Sequence, residues 1–153
     1  MDAFLDLSST NWSYYSIPVA FMLIMVPHSY ASVAAGKSYD LANPRKTEEH
    51  LAKDTTVDKV KFKRIIRAKA AANNGFETIG LYAAAVVAAN VAGVPVQSIN
   101  QLALLHLATR AVYNYIYVVL QDNARVAPLR SLVWMASLGA SFALFIKAGN
   151  AVN

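Results

Sequence analysis

The chain has 153 residues, of which 56% are hydrophobic and 15% charged, against about 45–50% and about 25% in soluble proteins. That balance excludes an ordinary soluble domain and points to one membrane domain spanning residues 1–153. The net charge of +5 is no sign of nucleic-acid binding, because eight of the fourteen Lys and Arg lie between Lys37 and Arg64, among five acids. Such a segment reads as a loop facing the cytoplasm and anionic headgroups. Cysteine is absent, so thiol chemistry here would need a thiol that arrives on a substrate.

The N-terminus, "MDAFLDLSSTNWS", has two aspartates and no basic region, unlike a cleavable signal peptide. The apolar segment after it is therefore expected to remain as a first helix, about residues 14–36, without a charged residue. At about 1.5 Å per residue it can cross a hydrocarbon core roughly 30 Å thick. Pro18 suits the first turns, whereas Pro27 falls in the middle and needs support from neighbouring helices. Residues 37–63 form the polar connection, in which "ANP" signals a turn and "TEEHLAKD" a short surface helix.

A second long helix is expected over about 60–92, ending at "GVPVQS" with its Gly93 and Pro95. A third covers about 96–121 and a fourth about 127–148, with Pro128 in the first turn, where proline suits a helix. The fold class is all-α, a bundle of four transmembrane helices. Lysine and arginine bias puts connections 37–63 and 121–130 in the cytoplasm, and the termini and turn 93–97 on the other side.

Several polar residues interrupt these apolar helices. At about 100° per residue, Arg67, Asn74 and Glu77 fall within roughly 80° of one another, and His106, Arg110, Tyr113 and Tyr117 within roughly 60°. Arg110 sits mid-helix, where an arginine costs about 2.5–3.5 kcal/mol on insertion scales. Glu77 is the one acid within the four expected spans, which predicts a Glu77–Arg110 ion pair. These residues fit either a packing clasp between helices or a polar site. His106 has no suitably spaced second ligand and reads as a packing or hydrogen-bonding residue, so no metal is expected. Tyr113 and Tyr117 suit packing, the interface or a site. Lys69 and Lys147 read as snorkelling side chains. In "APLRSLVW", Arg130 and Ser131 occupy the first turn of the last helix, where free N–H groups favour an anion. An arginine reaching to headgroups is the alternative.

The motifs carrying these residues resemble the MAPEG superfamily, the membrane-associated proteins of eicosanoid and glutathione metabolism. "RAKAAANNGFE" (Arg67 to Glu77) is similar to its R-A-x-x-A-x-x-N-x-x-E pattern. "RAVYNYIY" and "PLRS" are similar to R-x-x-Y-x-x-x-Y and P-x-R-S. The resemblance implies a homotrimer in an internal membrane, such as the endoplasmic reticulum of a eukaryote, binding glutathione between subunits near the cytoplasmic face. Arg67, Asn74, Glu77, Arg110, Tyr113 and Tyr117 would then contact glutathione. Arg130 would stabilise its thiolate with help from Ser131, and a lipophilic acceptor would enter from the membrane lipid. Conjugation is the most general such reaction, with peroxide reduction and isomerisation beside it. The family also contains a non-catalytic lipid-binding branch, and a structural or pore-forming bundle is a further alternative. Three departures stand out. Ala70 occupies a position where many members carry a second arginine, with Lys69 or Arg125 as substitutes. "RKT" follows "ANP" where prostaglandin-E synthases have an acid. The "LQDNARVAPLR" connection is a few residues longer than in those synthases. The last two argue against prostaglandin isomerase activity.

Overall fold

The computed structural model describes residues 7–153, and the segment carrying Asp2 and Asp6 lies outside them. Four long helices dominate: α1 (Ser13–Ala35), α3 (Lys59–Val91), α4 (Val96–Tyr115) and α5 (Ala127–Ala151). The short α2 (Thr47–Lys53) lies in the polar connection, as the sequence suggests, and no strand occurs among the described residues. The last helix runs three residues beyond the expected 148. The third gives way after Tyr115 to a π-helical turn, Ile116–Leu120.

The boundaries have local causes. Asp58 caps α3, its carboxylate accepting from the backbone N–H groups of Val60 and Lys61 at 2.9 Å each. At the other end Gly93 takes φ +74°, a left-handed conformation that glycine adopts without a Cβ penalty. Gly93 N–H donates to the Asn90 carbonyl and Val94 N–H to the Ala89 carbonyl, which closes the helix with a Schellman motif. Pro95 follows and starts α4 after a turn of four residues.

Three segments are long and apolar enough to cross a membrane, residues 13–38, 96–120 and 124–151. The expectation of four such spans is met only to that extent. Helix α3 is longer than any of them, but its first eleven residues hold six Lys and Arg, and Asn73, Asn74, Glu77 and Asn90 follow. Large apolar side chains point outward from the other three, among them Tyr15, Val26, Leu132 and Ile146, each more than 60% exposed. A surface of that kind suits hydrocarbon rather than water.

Helices α3 and α4 each touch all the other long helices, while α1 packs chiefly on α3, and α5 on α4 and α3. The core between them is rich in small residues. Ala20, Ala85, Ala89 and Ala103 surround Tyr82 and Leu144 in one cluster, and Ala31, Ala35 and Ala68 surround Leu51 and Ile65 in another. Small side chains let helix backbones approach, the main source of attraction where no water is displaced.

Pro27 shows how one helix depends on another. Without an N–H it cannot bond the carbonyl of Leu23 four residues earlier. Asn114 of α4 supplies the missing donor, its Nδ2 lying 2.8 Å from the Leu23 oxygen. One turn away in the same packing layer, α1 crosses α3 at Gly75. A Cβ there would lie 2.5 Å from Cγ1 of the buried Ile24. Gly75→Ala is therefore expected to destabilise the protein by about 1–3 kcal/mol, read as a lower thermal midpoint in detergent. Ile24→Ala should relieve that clash, so the double variant should lose less than the sum of the single losses.

Candidate functional site

Helices α3, α4 with its π-helical turn, and α5 line an open cavity of about 300 Å³ formed by Ala70 and Asn74, Tyr113 and Tyr117, and Arg130, Ser131 and Trp134. Five of the residues singled out in the sequence thus share one wall system. The periodicities explain the convergence. Ala70 and Asn74 are one turn apart on α3, Tyr113 and Tyr117 follow each other from the end of α4 into its π-helical turn, and Arg130 and Trp134 are one turn apart at the start of α5.

Arg110 stands behind this cavity and is 4% exposed. Its Nη1 donates to Asn74 Oδ1 at 2.8 Å, and its guanidinium lies 4.8 Å from the centre of the Tyr113 ring. The expected Glu77–Arg110 ion pair is not formed. Asn74, one turn before Glu77, gives the arginine a neutral acceptor, and Glu77 stays exposed without a hydrogen bond or ion pair among the described residues. Arg110 is therefore a buried cation held by an amide and an aromatic face, which leaves its charge uncancelled by any contacting carboxylate.

Arg130 lies 4.3 Å from the centre of the Tyr117 ring, and Tyr117 packs edge-on against Tyr113 with centroids 5.6 Å apart. No acid pairs with Arg130 among the described residues. Among the described residues no carboxylate lines the cavity. Two cations, two phenols, an amide and a hydroxyl thus face or back one space, an arrangement that favours an anionic or polarisable guest.

The sequence reading overlooked Trp134. Its indole Nε1 is buried and has no hydrogen-bond partner among the described residues, although a buried donor left alone costs about 1–3 kcal/mol. The only available signal was its spacing, four residues after Arg130 and so on the same helix face.

Arg67 is placed elsewhere. Its Nη2 lies 2.9 Å from Asp122 Oδ1 and donates to the Val118 carbonyl at 3.3 Å, and Arg64 reaches the other Asp122 oxygen at 3.5 Å. This clasp ties α3 to the connection after α4 and draws Arg67 away from the cavity wall. Lys69 lines a separate cleft with His28 and Arg45, and neither it nor Arg125 lines the cavity where Ala70 stands. Lys147 is exposed. His106 is a packing residue. Its ring stacks on Tyr82 at 3.7 Å, and Nδ1 sits 3.1 Å from the Ser137 carbonyl. Among the described residues no group of three His, Cys, Asp or Glu could hold a metal ion.

The MAPEG family model matches residues 15–150, nearly the full length of all four long helices. The chain belongs to the MAPEG family. No curated protein and no solved structure matches it. The family includes glutathione transferases, peroxidases and isomerases as well as non-catalytic members. Membership together with three apolar spans indicates an integral membrane protein in contact with lipid.

The clasp of this MAPEG protein has a pH signature. The Asp122 carboxyl is held below the ordinary aspartate value, first by the hydrogen bond from Arg67 and then by the charges of Arg67 and Arg64. A depressed carboxyl stabilises the fold above its unfolded value, and the effect is lost as pH falls through the folded one. Thermal midpoints of wild type and Asp122→Asn should therefore differ most at neutral pH. The gap should shrink as the pH falls below about 4, the ordinary aspartate value, and a constant gap down to strong acid would exclude the clasp as its source.

Proposed function

We propose that this protein is a glutathione-dependent membrane enzyme, most generally a glutathione transferase that joins glutathione to a lipophilic electrophile. The observation that carries this reading is Arg130 at the head of α5, without an acidic partner, facing a cavity that also holds Asn74, Tyr113, Tyr117 and Ser131. Family membership supports it, because a glutathione-binding function accounts for polar residues whose burial in apolar helices is otherwise costly.

In this reading the glutathione sulfur lies near Arg130. The guanidinium stabilises the thiolate, lowers the thiol's pKa and so raises the fraction of nucleophile at neutral pH. Ser131 and Trp134 offer O–H and N–H donors one helical turn or less from it. Arg110 and Asn74 form the floor that receives the carboxylates and amides of the peptide. Glu77, exposed in one chain, is suited to meet the ammonium of glutathione or a neighbouring subunit. Arg67, engaged with Asp122, acts by holding the connection that leads into α5.

The reading includes a homotrimer in which α3 is the fourth span, with glutathione between subunits. The basic connection and the cavity would face the cytoplasm, and the acceptor would arrive through the bilayer. Peroxide reduction and isomerisation use the same thiolate and belong to the same proposal.

Thiolate formation on adding glutathione to detergent-purified protein, followed by ultraviolet difference absorbance, tests this directly. Wild type should give a thiolate signal at neutral pH. Arg130→Ala should lose it and lower kcat/KM toward a generic electrophile by about 10²–10³-fold, the scale of losing one donor to a developing negative charge. Glutathione binding by wild type without a thiolate would identify a non-catalytic binding protein. Absence of binding by folded protein would leave the polar residues as a packing clasp or pore lining.

A further inference from the structure

A second space lies between α1 and α4 and shares no residue with the cavity of Arg130. It measures about 370 Å³, and its walls are mainly apolar, with Leu23, Val26 and Pro27 on one side and Ala111 and Val118 on the other, interrupted by Asn114. From Leu23 to Tyr30, and from Ala111 to Val119, it follows about seven or eight helical residues, roughly 11 Å. Both walls belong to segments apolar enough to cross a membrane, so the groove opens where lipid chains are.

The groove is not apolar throughout. Arg64, from the first turns of α3, lines it together with Tyr30 at the end nearest the basic connection. Arg64 and Arg67 share the single carboxylate of Asp122, which lies 2.9 Å from Arg67 and 3.5 Å from Arg64. Two guanidinium groups on one carboxylate leave a net positive charge, and the weaker partner, Arg64, keeps 38% of its side chain exposed. Its Nε is buried and has no hydrogen-bond partner among the described residues, so a phosphate would meet the terminal Nη groups. An arginine with spare donors binds phosphate through two parallel N–H···O contacts.

We propose that the α1–α4 groove binds one membrane phospholipid with an anionic headgroup. One acyl chain lies between Pro27 and Ala111, and the phosphate rests on Arg64. Two features select this occupant, a mainly apolar channel in a membrane-facing surface and a net positive charge at its headgroup end. The lipid would cover the face of α1 where Pro27 interrupts the backbone bonding and Asn114 replaces it.

Native mass spectrometry of the full-length protein in detergent, titrated with dioleoyl phosphatidylglycerol or phosphatidylcholine, tests the proposal. Wild type should retain one phosphatidylglycerol per chain about fivefold more tightly than phosphatidylcholine, the scale of one basic residue near an anionic surface. Arg64→Gln should remove that preference. Ala111→Phe, which fills the channel and touches no charge, should weaken retention of both lipids while leaving helicity by circular dichroism unchanged. Equal retention of the two lipids by wild type would overturn the proposal, as would a preference that survives Arg64→Gln. Should Arg64→Gln fail to fold, undiminished phosphatidylglycerol retention by folded Ala111→Phe would overturn it alone. Displacement of phosphatidylglycerol by equimolar oleate would assign the groove to a free fatty acid and also overturn it.

Discussion

The hydrogen bond from Arg110 to Asn74 is the constraint on which the arrangement of this protein turns. A guanidinium that is 4% exposed must find partners within the chain, since removing one from water without them costs several kcal/mol. Asn74 provides the acceptor at 2.8 Å, and Tyr113 provides an aromatic face. Satisfying Arg110 fixes α4 against α3 in both height and rotation. That rotation turns Tyr113 and Tyr117 toward α5, where Arg130 closes the cavity.

The charges are sorted with equal consequence. Asp122 gathers Arg64 and Arg67 at the end of the helices, and that carboxylate lies outside the cavity. Arg130 remains in its wall and Arg110 behind it, with neutral neighbours. A carboxylate on either would have satisfied the arginine and filled the place of an anionic guest. Uncharged acceptors and ring faces hold the cations in position while leaving their field available.

Much of this was legible in the sequence because it depends on short spacings. The heptad-like steps Arg67–Asn74–Glu77 and Arg110–Tyr113–Tyr117 locate the faces of two helices, and "APLRS" locates the head of the last. Helix limits followed from Gly93, Pro95 and Pro128, whereas the cap at Asp58 was seen only in the structure. Partner choice was less legible. Charge logic alone matched Arg110 to Glu77, because it weighs ion pairs above amides. The geometry favours Asn74, which sits one turn nearer. Arg67 pairs with an aspartate more than fifty positions away, in a loop whose path no periodicity describes. The failure of α3 to qualify as an apolar span reflects its role. A helix that must offer polar groups to its neighbours cannot be as apolar as the helices that shield it.

The tight turn at Ala92–Pro95 carries a consequence for how these groups are assembled. Arg67 with Val118, Asn74 with Arg110, and Tyr82 with His106 are three contacts between α3 and α4 with its π-helical turn. Each joins residues nearly equidistant from that turn. The two helices therefore form a hairpin with three rungs, each joining residues at about the same height on the two arms. Transferred one at a time into an apolar phase, each arm would carry exposed amides or a bare guanidinium. Moved as a hairpin, they neutralise much of that penalty between themselves, and the turn sets the register in which they do so.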